Sequence, residues 1–177
     1  MAQVNFLKLQ FRAAATAFVL FAMASFLLFL LVRGLGNVAA VLPWPRNLPA
    51  YSPNGTIGAV LDLRPLVALG SGTLLATGVV LVFRSAFLDR AVYMLVSMLT
   101  LVLASSIGIV AGFGAYHFLM EHRLLVPPGV VPAAIAFAIM MGISLASLDG
   151  LRSSIILRTL LAPILVVGAP LLLIYAG

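Results

Sequence analysis

Apolar residues in this chain gather into long unbroken runs, without the alternation of a half-buried strand or the striped pattern of a water-soluble helix. Five such runs stand out: Ala13–Val32, Leu66–Phe83, Ala91–Tyr116, Gly129–Leu148 and Ile155–Ala176. Each approaches or exceeds the roughly 20 residues that carry an α-helix across a hydrocarbon core of about 30 Å. The pattern predicts an all-α fold, a polytopic integral membrane bundle of about five transmembrane helices forming one domain over residues 1–177. A β-barrel is excluded by the same pattern, because its strands would alternate lumen-facing polar residues with lipid-facing apolar ones.

The third run organises the rest. Ala91–Tyr116 holds no proline and no charge, and as a helix it would extend about 39 Å. Thr100, Ala104, Gly108, Gly112 and Tyr116 recur at every fourth position and share a face. Small residues on one face let a second backbone come close, which is how helices associate in lipid. Ala68, Gly72 and Ala76 repeat the spacing in the second run, as do Ala134, Ala138, Gly142 and Ala146 in the fourth. Gly72, Ala76, Ala104, Gly108, Gly112, Ala138 and Gly142 are therefore the expected helix-packing residues. Either the second, third and fourth spans pack together through them, or one of these faces is offered to another protein.

The connections differ in kind. Met1–Arg12 reads as a short, weakly amphipathic lead. The first run is longer than the 7–15 apolar residues of a signal peptide and lacks a small-x-small cleavage site, so it reads as a retained helix. Its Phe18, Phe21, Phe26 and Phe29 suit a peripheral position facing lipid. The interfacial loop 34–65 contains PWPRNLPAYSPNG, whose prolines and Asn-Gly pair oppose regular helix. Trp44 and Tyr51 suit the headgroup layer. Asp62 and Arg64 would meet at that depth and neutralise each other. Arg84–Arg90 and Asp149–Ser154 read as tight turns, and Pro163 and Pro170 lie inside the fifth run.

Charged residues make up 8% of the chain, against about 25% in ordinary globular domains, and the net charge is +6. The basic residues sit at the ends of runs, so the expected partners are membrane lipids and other integral membrane subunits, with no nucleic acid. Placing the N-terminus in the cytoplasm puts Lys8, Arg12, Arg84, Arg90, Arg152 and Arg158 inside. It leaves Arg33, Arg46, Arg64 and Arg123 outside. The short connections decide for a cytoplasmic N-terminus and an external C-terminus, in a bacterial or archaeal plasma membrane such as a cell inner membrane. With no cysteine, disulfides, thiolate metal sites and thiol catalysis are excluded.

Chemistry is sparse. His117, Glu121 and His122 are the candidate cofactor-binding residues, because His117 and Glu121 share a helix face and could hold a proton, an ion or a quinone headgroup. Their plainer role is to cap the span at the water interface beside Arg123. The HFLMEH spacing matches no zinc-protease motif, and no metal site is expected. One rigid segment cannot offer two histidines to opposite faces of a haem. Gly70–Ser71–Gly72 lacks the surroundings of a serine nucleophile and reads as packing, so no catalytic residue is assigned.

PWPRNLPAYSPN and GAVLDL are similar to short stretches of the small rod-shape-determining membrane protein of the bacterial elongation machinery. They cover a small part of the chain, and their separation differs by about one span, so the resemblance assigns no family. The expectation is a non-catalytic subunit that packs against and stabilises a larger membrane complex (respiratory, transport or envelope-building). It is not expected to be an enzyme, and no cofactor is expected. The alternatives are a small oligomeric transporter or channel, and a quinone- or haem-associated redox subunit.

Overall fold

A computed structural model describes residues 2–39, 61–83, 85–122, 126–127, 129–146, 151 and 153–176. Among the described residues the fold is all-α, with five helices: α1 Ala2–Ala39, α2 Arg64–Val82, α3 Ala86–Glu121, α4 Val130–Ala146 and α5 Ile155–Ala176. Four are long and apolar enough to cross a membrane, and α4, at 17 residues, is a shorter apolar helix. This is an integral membrane protein of polytopic design. Helices suit that setting because every backbone donor and acceptor is satisfied within its own segment, where no water can serve.

Four boundaries differ from the sequence reading, both ends of the first span and both ends of the third, where the helix runs past Tyr116 to Glu121. The lead Met1–Arg12 is not separate from the first span, since α1 runs from Ala2 through Gly34 to Ala39. The connection Arg84–Arg90 is mostly helix as well. α3 begins at Ala86, with Ser85 extended at its N-cap. Ala, Phe and Leu at 86–88 are compatible with helix, and Asp89 in the first turn faces the positive end of the helix dipole. The acidic residue thus belongs to a helix start where the sequence had suggested a loop. Within the interfacial stretch 34–65, residues 40–60 lie outside the described residues, and α2 begins with Arg64 and Pro65. Proline is tolerated there because its missing N–H would have had no partner in the helix.

At 36 residues α3 is about 54 Å long, well over the bilayer core, so it must tilt or project into the headgroups. The contact pairs fix the relative directions. Gln10 meets Ser97, Phe18 meets Gly108 and Ala22 meets Gly112, so α1 and α3 run parallel. Gly129 lies against Arg64, and Gly70 lies against Ala136 and Met140, so α2 and α4 also run parallel. The core sits among α2, α3, α4 and α5, around Leu63, Val67, Leu74, Leu103, Ala133, Ala136, Met140 and Leu165. α1 packs mainly along α3, and α5 mainly along α2.

Candidate functional site

The far end of α3 gathers aromatic rings. Phe29 of α1 stands edge-on to Phe113 with ring centres 5.0 Å apart, and lies 5.7 Å from Tyr116. Phe26 reaches Tyr116 edge-on at 6.4 Å. His117 closes the group, 4.3 Å from Phe113 and 5.3 Å from Tyr116, both edge-to-face. Such geometry sets the positive rim of one ring against the negative face of the next and stabilises each pair by about 0.5–1.5 kcal/mol. Phe18 and Phe21 are exposed, as lipid-facing residues should be, whereas Phe26 and Phe29 turn partly inward to this cluster.

His117 is thus held against aromatic neighbours. Glu121 is the last residue of α3, and its side chain lies outside what the structure describes. His122 is the C-cap, in the left-handed conformation at φ 53°, and its side chain is exposed. It stops the helix and stands apart from the ring cluster. Among the described residues, no group of three or more histidine or acidic side chains converges in a way that could hold a metal ion. Asp62 and Arg64 pair at the start of α2. The Arg64 Nε donates to Asp62 Oδ1 at 2.9 Å and to Oδ2 at 3.0 Å, while the Arg64 backbone N–H donates to Oδ1 at 3.0 Å. The side-chain bond, then the backbone one, holds the Asp62 carboxyl below the usual carboxylate range. Its contribution to stability is therefore complete above the ordinary carboxylate pKa and is lost as pH falls through the lowered folded value.

The packing residues divide sharply. A methyl placed on Gly108 would stand 2.5 Å from the Phe18 carbonyl oxygen, and one on Gly112 would overlap the Ala22 carbonyl. Only glycine lets α1 lie so close. Ala104 is buried and Ala76 is half-buried. Gly72, Ala138 and Gly142 face outward, and nothing in the chain comes within 4 Å of where a side chain on Gly72 or Gly142 would begin. The buried glycines of α2 are Gly70 and Gly78. A methyl on Gly78 would sit 2.9 Å from Val166 Cγ2 and 3.1 Å from the Ala162 carbonyl of α5. Of the small faces, α3 turns Gly108 and Gly112 to α1, Ala76 of α2 packs against the core, and Gly72, Ala138 and Gly142 lie at the surface. Sequence reasoning missed Gly78, although Gly70, Leu74, Thr77 and Leu81 mark a second face of α2 at helical spacing.

The bundle interior has little free polarity. Thr73, Thr77, Thr100 and Ser105 donate their hydroxyls to the carbonyls of Leu69, Thr73, Val96 and Leu101, one turn back in their own helices. Between helices, the Gln10 side-chain amide donates to Ser97 Oγ at 2.9 Å, and Ser25 Oγ donates to the Ile109 carbonyl at 2.9 Å. Both bonds join α1 to α3. Ser71 Oγ is buried and, among the described residues, has no hydrogen-bond partner.

Comparison with protein-family models, curated proteins and solved structures finds no match to this chain. Any functional reading rests on the residues themselves.

Proposed function

We propose that this protein is a non-catalytic subunit of a larger membrane complex, holding a neighbouring transmembrane chain against the outward faces of α2 and α4. One observation carries the reading: Gly72 and Gly142 lie on outward faces with open space in front of their backbones. A face that meets only lipid gains nothing from small residues, whereas a neighbouring helix gains close van der Waals contact. The rest of the bundle fits this role, since the Thr73, Thr77, Thr100 and Ser105 hydroxyls are spent on their own helix backbones and line no polar path. We place the N-terminus in the cytoplasm of a bacterial or archaeal cell, on the arginines of the short connections.

Extraction in mild detergent should recover the chain with a partner that has at least one transmembrane helix. Gly72→Leu and Gly142→Leu should release that partner while leaving the chain folded. Recovery of wild type as a lone, monodisperse monomer would defeat the reading. Impermeant labelling of cysteines introduced at Ser85 and Ser153 should mark both on the cytoplasmic side.

A further inference from the structure

Between α4 and α5, over Leu74 of α2, lies an open cleft of about 570 Å³. Its walls are apolar: Val131, Ile135 and Ile139 on one side, Ile164 and Gly168 on the other, with Tyr175 at one end. The α4 wall, from Val131 to Ile139, extends about 12 Å, and the α5 wall, from Leu161 to Tyr175, about 21 Å. These lengths bracket the roughly 15 Å that one leaflet contributes to the hydrocarbon core. A partner helix would need a groove running the whole core, about twice that distance.

Charge marks one end of the cleft. Gly129, two residues before Val131, adopts φ +81° and tucks beneath Arg64; a methyl there would stand 3.0 Å from the Arg64 backbone nitrogen and 3.4 Å from its Cγ. Asp62 engages the Nε edge of Arg64, and the two terminal guanidinium nitrogens have no protein partner among the described residues. The contacts of Gly78 with Ala162 and Val166 place the start of α5 near the end of α2, so Tyr175 lies toward the Arg64 end. An aromatic hydroxyl and an arginine fork at headgroup depth, above an acyl-sized apolar slot, match an anionic phospholipid. Guanidinium is suited to phosphate oxygens, which it meets in a two-pronged geometry.

We infer that the α4–α5 cleft seats one acyl chain of an anionic phospholipid, whose phosphate is bound by Arg64. Lipid binding here is read on the purified chain, so its failure and the failure of the subunit role, which is read on the complex, are distinguishable. The test is native mass spectrometry of delipidated protein titrated with phosphatidylglycerol or phosphatidylcholine. Both lipids carry a phosphate, but the choline cation of phosphatidylcholine offsets its charge and is repelled by Arg64, so wild type should bind one phosphatidylglycerol about tenfold more tightly than phosphatidylcholine. Arg64→Gln should remove the preference. Gly168→Leu fills the cleft from a position with nothing within 4 Å, and should weaken both lipids about tenfold. If that variant does not fold, Ile164→Trp, at an exposed lining position, serves the same purpose. Equal binding of the two lipids by wild type, or lipid binding untouched by filling the cleft, would overturn the assignment. So would a cross-link from Ile164 to another protein in membranes.

Discussion

Two regions carry the same every-fourth pattern of small residues and use it oppositely. On α3, Thr100, Ala104, Gly108, Gly112 and Tyr116 are all buried, and the backbone of α1 fits directly over the two glycines. On α2 and α4, Ala68 and Gly72, and Ala134, Ala138 and Gly142, lie at the surface. The difference shows what such spacing encodes. It marks a face that a second backbone can approach closely, and leaves open which backbone that is. Bulk on the opposite face then helps decide. Leu74 and Leu81 of α2, and Met140 and Ile143 of α4, fill the core and turn the small residues outward.

The comparison breaks most visibly at Gly112. Gly112→Leu would force a branched side chain into the Ala22 carbonyl, and overpacking of this kind costs about 3 kcal/mol or more when neither backbone can yield. Thermal unfolding in detergent should show a large fall in Tm, with α1 becoming sensitive to protease first. A melting curve equal to wild type would mean that α1 does not lie on α3. Gly78→Leu should cost somewhat less, about 1–3 kcal/mol, because its nearest neighbours, Val166 Cγ2 at 2.9 Å and the Ala162 carbonyl at 3.1 Å, stand farther off than the carbonyl that faces Gly112. Here the loosened pair is α2 and α5, so cross-linking between those helices should fall while α1 stays protected.

Much of the architecture was legible in the sequence, and the physics says why. Run length against bilayer thickness is a strong constraint, and it located all five helices to within a few residues wherever proline or a Gly-rich stretch ended them. It failed at both ends of α1 and of α3, where charged residues at headgroup depth sit inside a helix that continues past the hydrocarbon. The choice of neighbours was less legible. Helix pairing depends on which faces meet across long sequence separations, such as Phe18 with Gly108, and periodicity within one run holds no record of it. At the candidate site, His117 was identified by its rarity, but its aromatic setting depends on Phe29 of α1 and could not be read from α3 alone.

A smaller effect tests the polar side of the α1–α3 seam. Ser25→Ala removes the hydroxyl that donates to the Ile109 carbonyl, a carbonyl already bonded within α3. Interhelical hydrogen bonds within lipid average about 0.6 kcal/mol in mutant cycles, so the Tm should fall only slightly. If Ser25→Ala proved as damaging as Gly112→Leu, hydrogen bonding would hold this seam together and close backbone approach would be secondary.

The smallest expected effect on the isolated chain is the most telling. Gly72→Leu and Gly142→Leu place side chains where nothing stands within 4 Å, so neither should destabilise the bundle. Leucine is the better helix former by somewhat under 1 kcal/mol, and a slight rise in Tm is the expected outcome for the purified protein. In the membrane the same substitutions should separate the chain from its neighbour, because a helix seated on Gly72 or Gly142 would meet the obstruction that α1 would meet at Gly112. Blue-native electrophoresis of wild type and both variants, run beside their melting curves, reads the two effects independently. A lost complex with an unchanged melt would mean that the outward stripe does for a partner what the inward stripe does for α1. If the complex survives both substitutions, the small residues on α2 and α4 are lipid-facing and the likeness to α3 ends at spacing.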